Sequence, residues 1–211
     1  MSIYDIHTHC LPQDPGTAIV QLTPDHFYCV PEQYYSVGIH PWEITPNWQT
    51  QLGQMAIMGL CPQVLMIGEA GLDKTKAAVP IEEQTIIFRE QVKLSEILHK
   101  PLIVHCVKAM DELLHIHKRS KATQPWIYHG FRGGKEQARQ LRNAGIYISL
   151  GKYYNTDLLQ SLPLENLLLE TDDTSDIDAI YHSVSEKLHI GKDELAQLVS
   201  SNIQRLLDSP F

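Results

Sequence analysis

A (β/α)8 barrel of the α/β class, trimmed and irregular in its first third, is the fold the sequence predicts. Eight short apolar or β-branched runs recur along the 211 residues. Helical stretches separate the later runs, and several runs end on a histidine or a carboxylate. The runs cover residues 3–7, 17–22, 34–39, 65–68, 102–105, 126–129, 146–149 and 167–170. Segments such as LLLE and PLIVH show no polar alternation, which marks strands buried on both faces of a parallel sheet.

The helices follow from period and punctuation. Residues 81–99 open with acids and carry a wide apolar stripe. Residues 109–120 and 134–144 are helical by the same reading, and Gly145 is placed to end the second of them. Residues 192–207 are the clearest, with Leu195, Leu198, Val199, Ile203, Leu206 and Leu207 at helical spacing. Only about ten residues separate the first run from the second, too few for a crossover helix. Helices are therefore expected to be missing there. With no linker and no internal repeat, residues 1–211 read as one domain.

Composition narrows the function. The apolar fraction of 43% and charged fraction of 20% are those of an ordinary globular chain. A net charge of −8 argues against a broad basic footprint for duplex nucleic acid, although bound metal ions would supply positive charge locally. Cys10, Cys29, Cys61 and Cys106 form no CxxC pair, which suits a reduced, cytoplasmic chain. MSIYDIHTHC carries no signal-peptide pattern, and no apolar run approaches the roughly 20 residues of a membrane span.

The chemistry lies in the strand ends. His7-Thr8-His9 closes the first run, and residues i and i+2 of a strand project to one side. Glu69 follows the fourth run, His105 ends PLIVH, His129 ends PWIYH, and Asp172 follows LLLET. The C-terminal rim of such a barrel is where active sites form. Four imidazoles and two carboxylates at one rim predict a divalent-metal site, suited to Zn²⁺, Mn²⁺, Ni²⁺ or Fe²⁺ and less well to Mg²⁺. His40, in GIHPW at the third run, faces the same rim as a substrate contact. His115 and His117 also form HxH, but on a helix they diverge by about 200° and cannot chelate one ion. They read as surface histidines, as do His26, His99, His182 and His189. Cys106 follows His105 and points away from the barrel interior, a packing position. No GxSxG elbow supports a serine nucleophile.

DIHTHC, SVGIHPWE, IGEAGLDK, PLIVHCVKA, HGFRGG, YISLG and LLLETD, in that order, resemble the TatD family of metal-dependent hydrolases. The closing LAQLVSSNIQRLL is similar to that family's final helix. The resemblance implies a cytoplasmic TIM-barrel deoxyribonuclease or phosphodiesterase with two divalent ions, Zn, Mg, Mn or Ni. It implies that His7, His9 and Asp172 hold one ion, that His105 and His129 hold the other, and that Glu69 bridges them. Asp172 and Glu69 are then the catalytic carboxylates, acting on DNA ends or a small phosphodiester through a metal-activated water. Lys108, Arg132 and His40 are candidate phosphate contacts. The chain departs from the family around the substrate. Val107 stands where an arginine is usual, Arg132 enters the HCFSG-like segment as HGFRG, and ETDDTSDIDAIYH is acidic and short. Two other readings stay open: an amidohydrolase-like C–N or ester hydrolase, and a non-catalytic metal-binding partner protein.

Overall fold

In the computed structural model, which describes residues 3–208, eight parallel strands pair in chain order. They are β1 (Asp5–Thr8), β2 (Ala18–Leu22), β3 (Tyr34–Val37), β4 (Val64–Asp73), β5 (Leu102–Val107), β6 (Trp126–Tyr128), β7 (Tyr147–Leu150) and β8 (Leu167–Leu169). A parallel bridge between Thr8 and Asp172 joins the last strand to the first. The Asp172 N–H donates to the His7 carbonyl at 3.1 Å, and the His9 N–H donates to the Asp172 carbonyl at 3.0 Å. The sheet is a closed barrel, as the strand count predicts.

The helices are α1 (Trp48–Met58), α2 (Ile81–Leu98), α3 (Met110–Ser120), α4 (Lys135–Asn143), α5 (Thr156–Leu159), α6 (Ile177–Leu188) and α7 (Lys192–Leu207). β1 reaches β2 by a loop, and β2 reaches β3 through a single 3-10 turn at Pro24–His26. The first crossovers therefore lack α-helices, as their length requires. Three helices go beyond the sequence expectation: the single turn α5, and the longer α1 and α6. α1 buries only Gln51 and Met55 fully, so it shows no apolar stripe to read. α6 stands in the acidic stretch after β8. The Asp176 carboxylate caps it by accepting from the Ala179 N–H, and Ile180, Tyr181 and Val184 face inward at helical spacing.

β4 also differs from the run over residues 65–68. It continues through GEAGLD to Asp73, so Glu69 lies within the strand rather than after it. The glycines that read as a stop instead permit close approach. Gly71 has φ +156°, and a Cβ there would lie 1.9 Å from the His105 carbonyl oxygen. The register between β4 and β5 shifts between Ile67 and Ala70, at Glu69.

The core is a continuous apolar cluster between the strands and the helices. Trp126, Tyr35 and Phe88 are its largest fully buried members, and the Phe88 ring of α2 meets Trp126 edge-on at 5.3 Å. Burying each such ring contributes about 1.5–3 kcal/mol. The seam between β1 and β8 is polar instead. Asp5 accepts from the Thr171 N–H at 3.1 Å, and burial pushes its carboxyl up to about 7. Thr171 Oγ1 has one proton but faces Asp5 Oδ2 at 2.6 Å and Thr8 Oγ1 at 2.7 Å. The Thr8 hydroxyl supplies the second hydrogen, so Thr171 Oγ1 donates to Asp5 and accepts from Thr8.

Candidate metal centre

The closed barrel brings strand ends that are distant in sequence to one point. His7 sits on β1 and His9 just beyond it, and alternation aims both imidazoles at the barrel mouth. β5 brings His105, and His129 directly follows β6. Asp172 follows β8 in a left-handed conformation, φ +55°, on the bridge that closes the barrel.

Glu69 is the centre of the cluster. Its Oε1 lies 2.8 Å from His105 Nδ1, 2.8 Å from His129 Nε2 and 3.1 Å from His40 Nε2. Its Oε2 lies 3.2 Å from His7 Nε2 and 3.4 Å from His9 Nε2. Asp172 Oδ1 stands at the edge, 3.8 Å from His7 Nε2 and 3.6 Å from His9 Nε2. The two carboxylate oxygens thus divide the cluster into halves. One half is His7, His9 and Asp172; the other is His105, His129 and His40.

His129 and His105 each lie between two carboxylates. His129 Nδ1 faces the buried Glu170 carboxylate at 3.2 Å while its Nε2 faces Glu69. His105 Nε2 faces Asp73 Oδ2 at 3.3 Å while its Nδ1 faces Glu69. His105 Nδ1 and His129 Nε2 thus crowd one carboxylate oxygen, 3.3 Å from each other. Both ring nitrogens of His7 are buried without a hydrogen-bond partner. Imidazole nitrogens crowded together and an orphaned buried imidazole are costly unless a cation lies among them. The residues present therefore fit a divalent metal, and several of them fall into groups of three whose donor atoms lie within 4.8 Å of one another.

His40 differs from the other four. Its Nδ1 accepts the Trp42 backbone N–H at 3.1 Å, so the proton of the neutral ring is on Nε2, and Nε2–H donates to Glu69. It is a donor within the cluster and not a vacant ligand.

The electrostatics follow from burial against pairing. Burial works to raise the Glu69 pKa, but the imidazoles of His129, His105 and His40 outweigh it and hold the carboxylate well below its usual range. Burial works to lower His129, while Glu69 and Glu170 outweigh it and raise it well above the ordinary imidazole value. Asp73 is held far down against its burial by hydrogen bonds from Thr75, the Trp42 indole and the Lys76 backbone. Sequence reasoning missed Asp73 and Glu170. Both were in view, as the last residue of GEAGLD and the glutamate of LLLETD, but each meets the cluster through a histidine ring. Asp73 stands behind His105 and Glu170 behind His129, and each orients its ring.

The other sequence candidates lie around this cluster. Lys108 is exposed on the loop after β5, with φ +53°. Arg132 lines a cleft beside the cluster with Asp172, Asp173 and Tyr153. His115 and His117 are on α3 as expected, but His117 is half-buried with its ring 4.7 Å from Trp126, so only His115 fits the surface reading. Cys106 is buried in the core, and burial pushes its thiol up to about 11. That is the property of an inert packing thiol. Above Glu69 a cavity of about 270 Å³ opens, lined by His9, His40, Trp42, His105, His129 and Asp172 among others.

Comparison with known proteins agrees with this geometry. The chain is 30% identical over 148 residues to the uncharacterized metal-dependent hydrolase YjjV of Escherichia coli K12, covering 66% of this chain and 57% of that protein. It is 30% identical over 154 residues to the 3'-5' ssDNA/RNA exonuclease TatD of Klebsiella pneumoniae strain 342, covering 65% and 56%. The chain thus spans less than two thirds of the length of either relative. The crystal structure of the E. coli K12 YjjV protein, a TatD homologue, superposes with a TM-score of 0.81 at 22% identity, over 99% of this chain and 98% of that one. That superposition shows the same barrel. Residues 28–208 match the family described as TatD related DNase, and with most of its length so matched the chain belongs to the TatD family.

Proposed function

We propose that the protein is a divalent-metal-dependent phosphodiesterase that hydrolyses single-stranded DNA from an end, with small phosphodiesters as lesser substrates. The observation that carries this is Glu69: each of its oxygens faces its own set of imidazole nitrogens within 3.4 Å. Two cations, if bound, would each meet one of these oxygens, which supports the reading. Relatives named as metal-dependent hydrolase and as ssDNA/RNA exonuclease support the reaction class. His7, His9 and Asp172 would hold one ion, His105 and His129 the other, with Glu69 between; Zn²⁺, Mn²⁺, Ni²⁺ and Mg²⁺ are the candidates. Ions bound there would supply Lewis acidity toward a phosphoryl oxygen and ease the deprotonation of water.

The chain's own groups do the rest. Asp172, partly exposed with its side chain 26% accessible, is placed to orient the attacking water and take its proton. The Nε2–H of His40, which donates to Glu69 in this structure, is the neutral donor best placed for a phosphoryl oxygen entering the cavity. Arg132 and Lys108, on the rim, offset phosphate charge near the acids Asp172 and Asp173. The barrel of residues 1–211 acts as one unit in this reading. Four free cysteines support a reducing, cytoplasmic setting, and among the described residues no helix is long and apolar enough to cross a membrane.

The test is turnover by metal-loaded protein on single-stranded DNA and on a generic phosphodiester, with a chelator and His7→Ala as controls. Cleavage that a chelator abolishes and that His7→Ala lacks is expected. Full turnover in chelator, or no turnover with any of the four metals, overturns the proposal.

A further inference from the structure

Two large aromatic side chains stay exposed at the rim, on opposite sides of the metal cluster, and each is accompanied by a cation. Tyr153, just past β7, is 61% exposed. The Arg132 guanidinium lies 4.9 Å from its ring centroid, and Lys152 Nζ lies 5.6 Å away. Trp42, just past β3, is 46% exposed, and Lys76 Nζ lies 4.5 Å from its ring. Its indole N–H is fixed by Asp73 Oδ2 at 2.7 Å. The Trp42 ring is part of the wall of the cavity over Glu69, and Tyr153 lines the adjoining cleft. Asp172 and Asp173 line both spaces, so the two adjoin at those acids.

A ring left in water beside a cation has the chemistry of a base-stacking platform with its phosphate contact. The chain carries a net charge of −8, and these three cations lie over the rings and make no ion pair with an acid among the described residues. An unstacked base of a single strand offers a free face to such a ring, whereas inside a duplex both faces are occupied by neighbours. We propose that Tyr153, with Arg132 and Lys152, forms a nucleobase and phosphate subsite beside the metal centre, and that Trp42 with Lys76 forms a second on the opposite side. The substrate is then a short single strand laid across the cluster and held by its bases. This rests on the phosphodiesterase reading above and adds a requirement for bases that the metal cluster itself does not impose.

The test compares kcat/KM on oligothymidylate with that on an abasic oligodeoxyribose phosphate of the same length, for metal-loaded wild type, Tyr153→Ala and Tyr153→Phe. Wild type is expected to favour oligothymidylate by about 100-fold, about ten-fold for each of two stacked bases. Tyr153→Ala should cut that preference about ten-fold, and Tyr153→Phe, which keeps the ring face, should retain it. A surface ring with a merely structural role would change the melting temperature and leave the preference intact. No preference in wild type, or the same preference in Tyr153→Ala, overturns the subsite. Cleavage of a generic small diester with no cleavage of either oligomer also overturns it while sparing the phosphodiesterase reading. No cleavage of any substrate overturns both.

Discussion

Glu170 Oε1 stands 3.2 Å from Nδ1 of His129 and also accepts the Gly130 backbone N–H at 2.6 Å, so a fully buried carboxylate orients this imidazole from behind. Glu170→Gln keeps an acceptor for Gly130 and removes the charge that favours the Nδ1–H tautomer. Metal affinity should fall by about 10- to 100-fold, read by calorimetric titration. Unchanged affinity would show that Glu170 only packs the barrel floor.

His40 presents Nε2–H to Glu69 because Trp42 occupies its Nδ1. His40→Ala should therefore keep the metal stoichiometry of the wild type and lose about 100-fold in kcat, the usual scale for one preorganised donor. Loss of a bound ion in this variant, read by elemental analysis after dialysis, would make His40 a ligand instead.

Gly71 leaves no room for a methyl group beside the His105 carbonyl, and its φ of +156° suits glycine. Gly71→Ala should push β4 away from β5 and destabilise the fold by about 1–3 kcal/mol or more, measured by urea denaturation. Because the displaced strand carries Glu69, metal binding should weaken in the same variant. Stability equal to wild type would mean that β4 moves freely, contrary to the packing.

His117, far from the cluster, is half-buried against Trp126, and burial lowers its pKa. In the unfolded chain it titrates near the usual value of about 6.5. Below that pH the unfolded state binds the proton more readily, so stability is lost as pH falls from about 6.5 toward the lower folded value. His117→Gln should flatten that part of the curve. Melting temperatures of both proteins followed from neutral to mildly acid pH check it, and parallel curves would refute it.

The sequence showed much of the site because its candidate ligand histidines lie within two residues of strand ends, where a histidine interrupts an apolar run. His7, His105 and His129 needed no knowledge of pairing. Glu69 was found but misplaced at a strand end, because glycines on both sides read as a stop while β4 uses them to lie against β5. α1 stayed hidden because it buries a glutamine and a methionine rather than a stripe. α6 was obscured by its acids, although Asp176 is a capping residue followed by an apolar helical spacing. Asp73 and Glu170 act through another residue's ring, and which ring a carboxylate meets depends on strand register that no local pattern encodes.

The seam between β1 and β8 joins residues 166 positions apart in the chain, as the Asp5–Thr171 contact measures, and the cluster straddles that seam. No nascent chain can own the complete set of ligands until nearly all of it has been made. The first histidines to emerge wait for the last carboxylate, and assembly of the centre is necessarily a late folding event. Closing so long a loop costs entropy that local contacts do not repay. An ion gripping both ends would repay it, acting as a clasp for the whole ring.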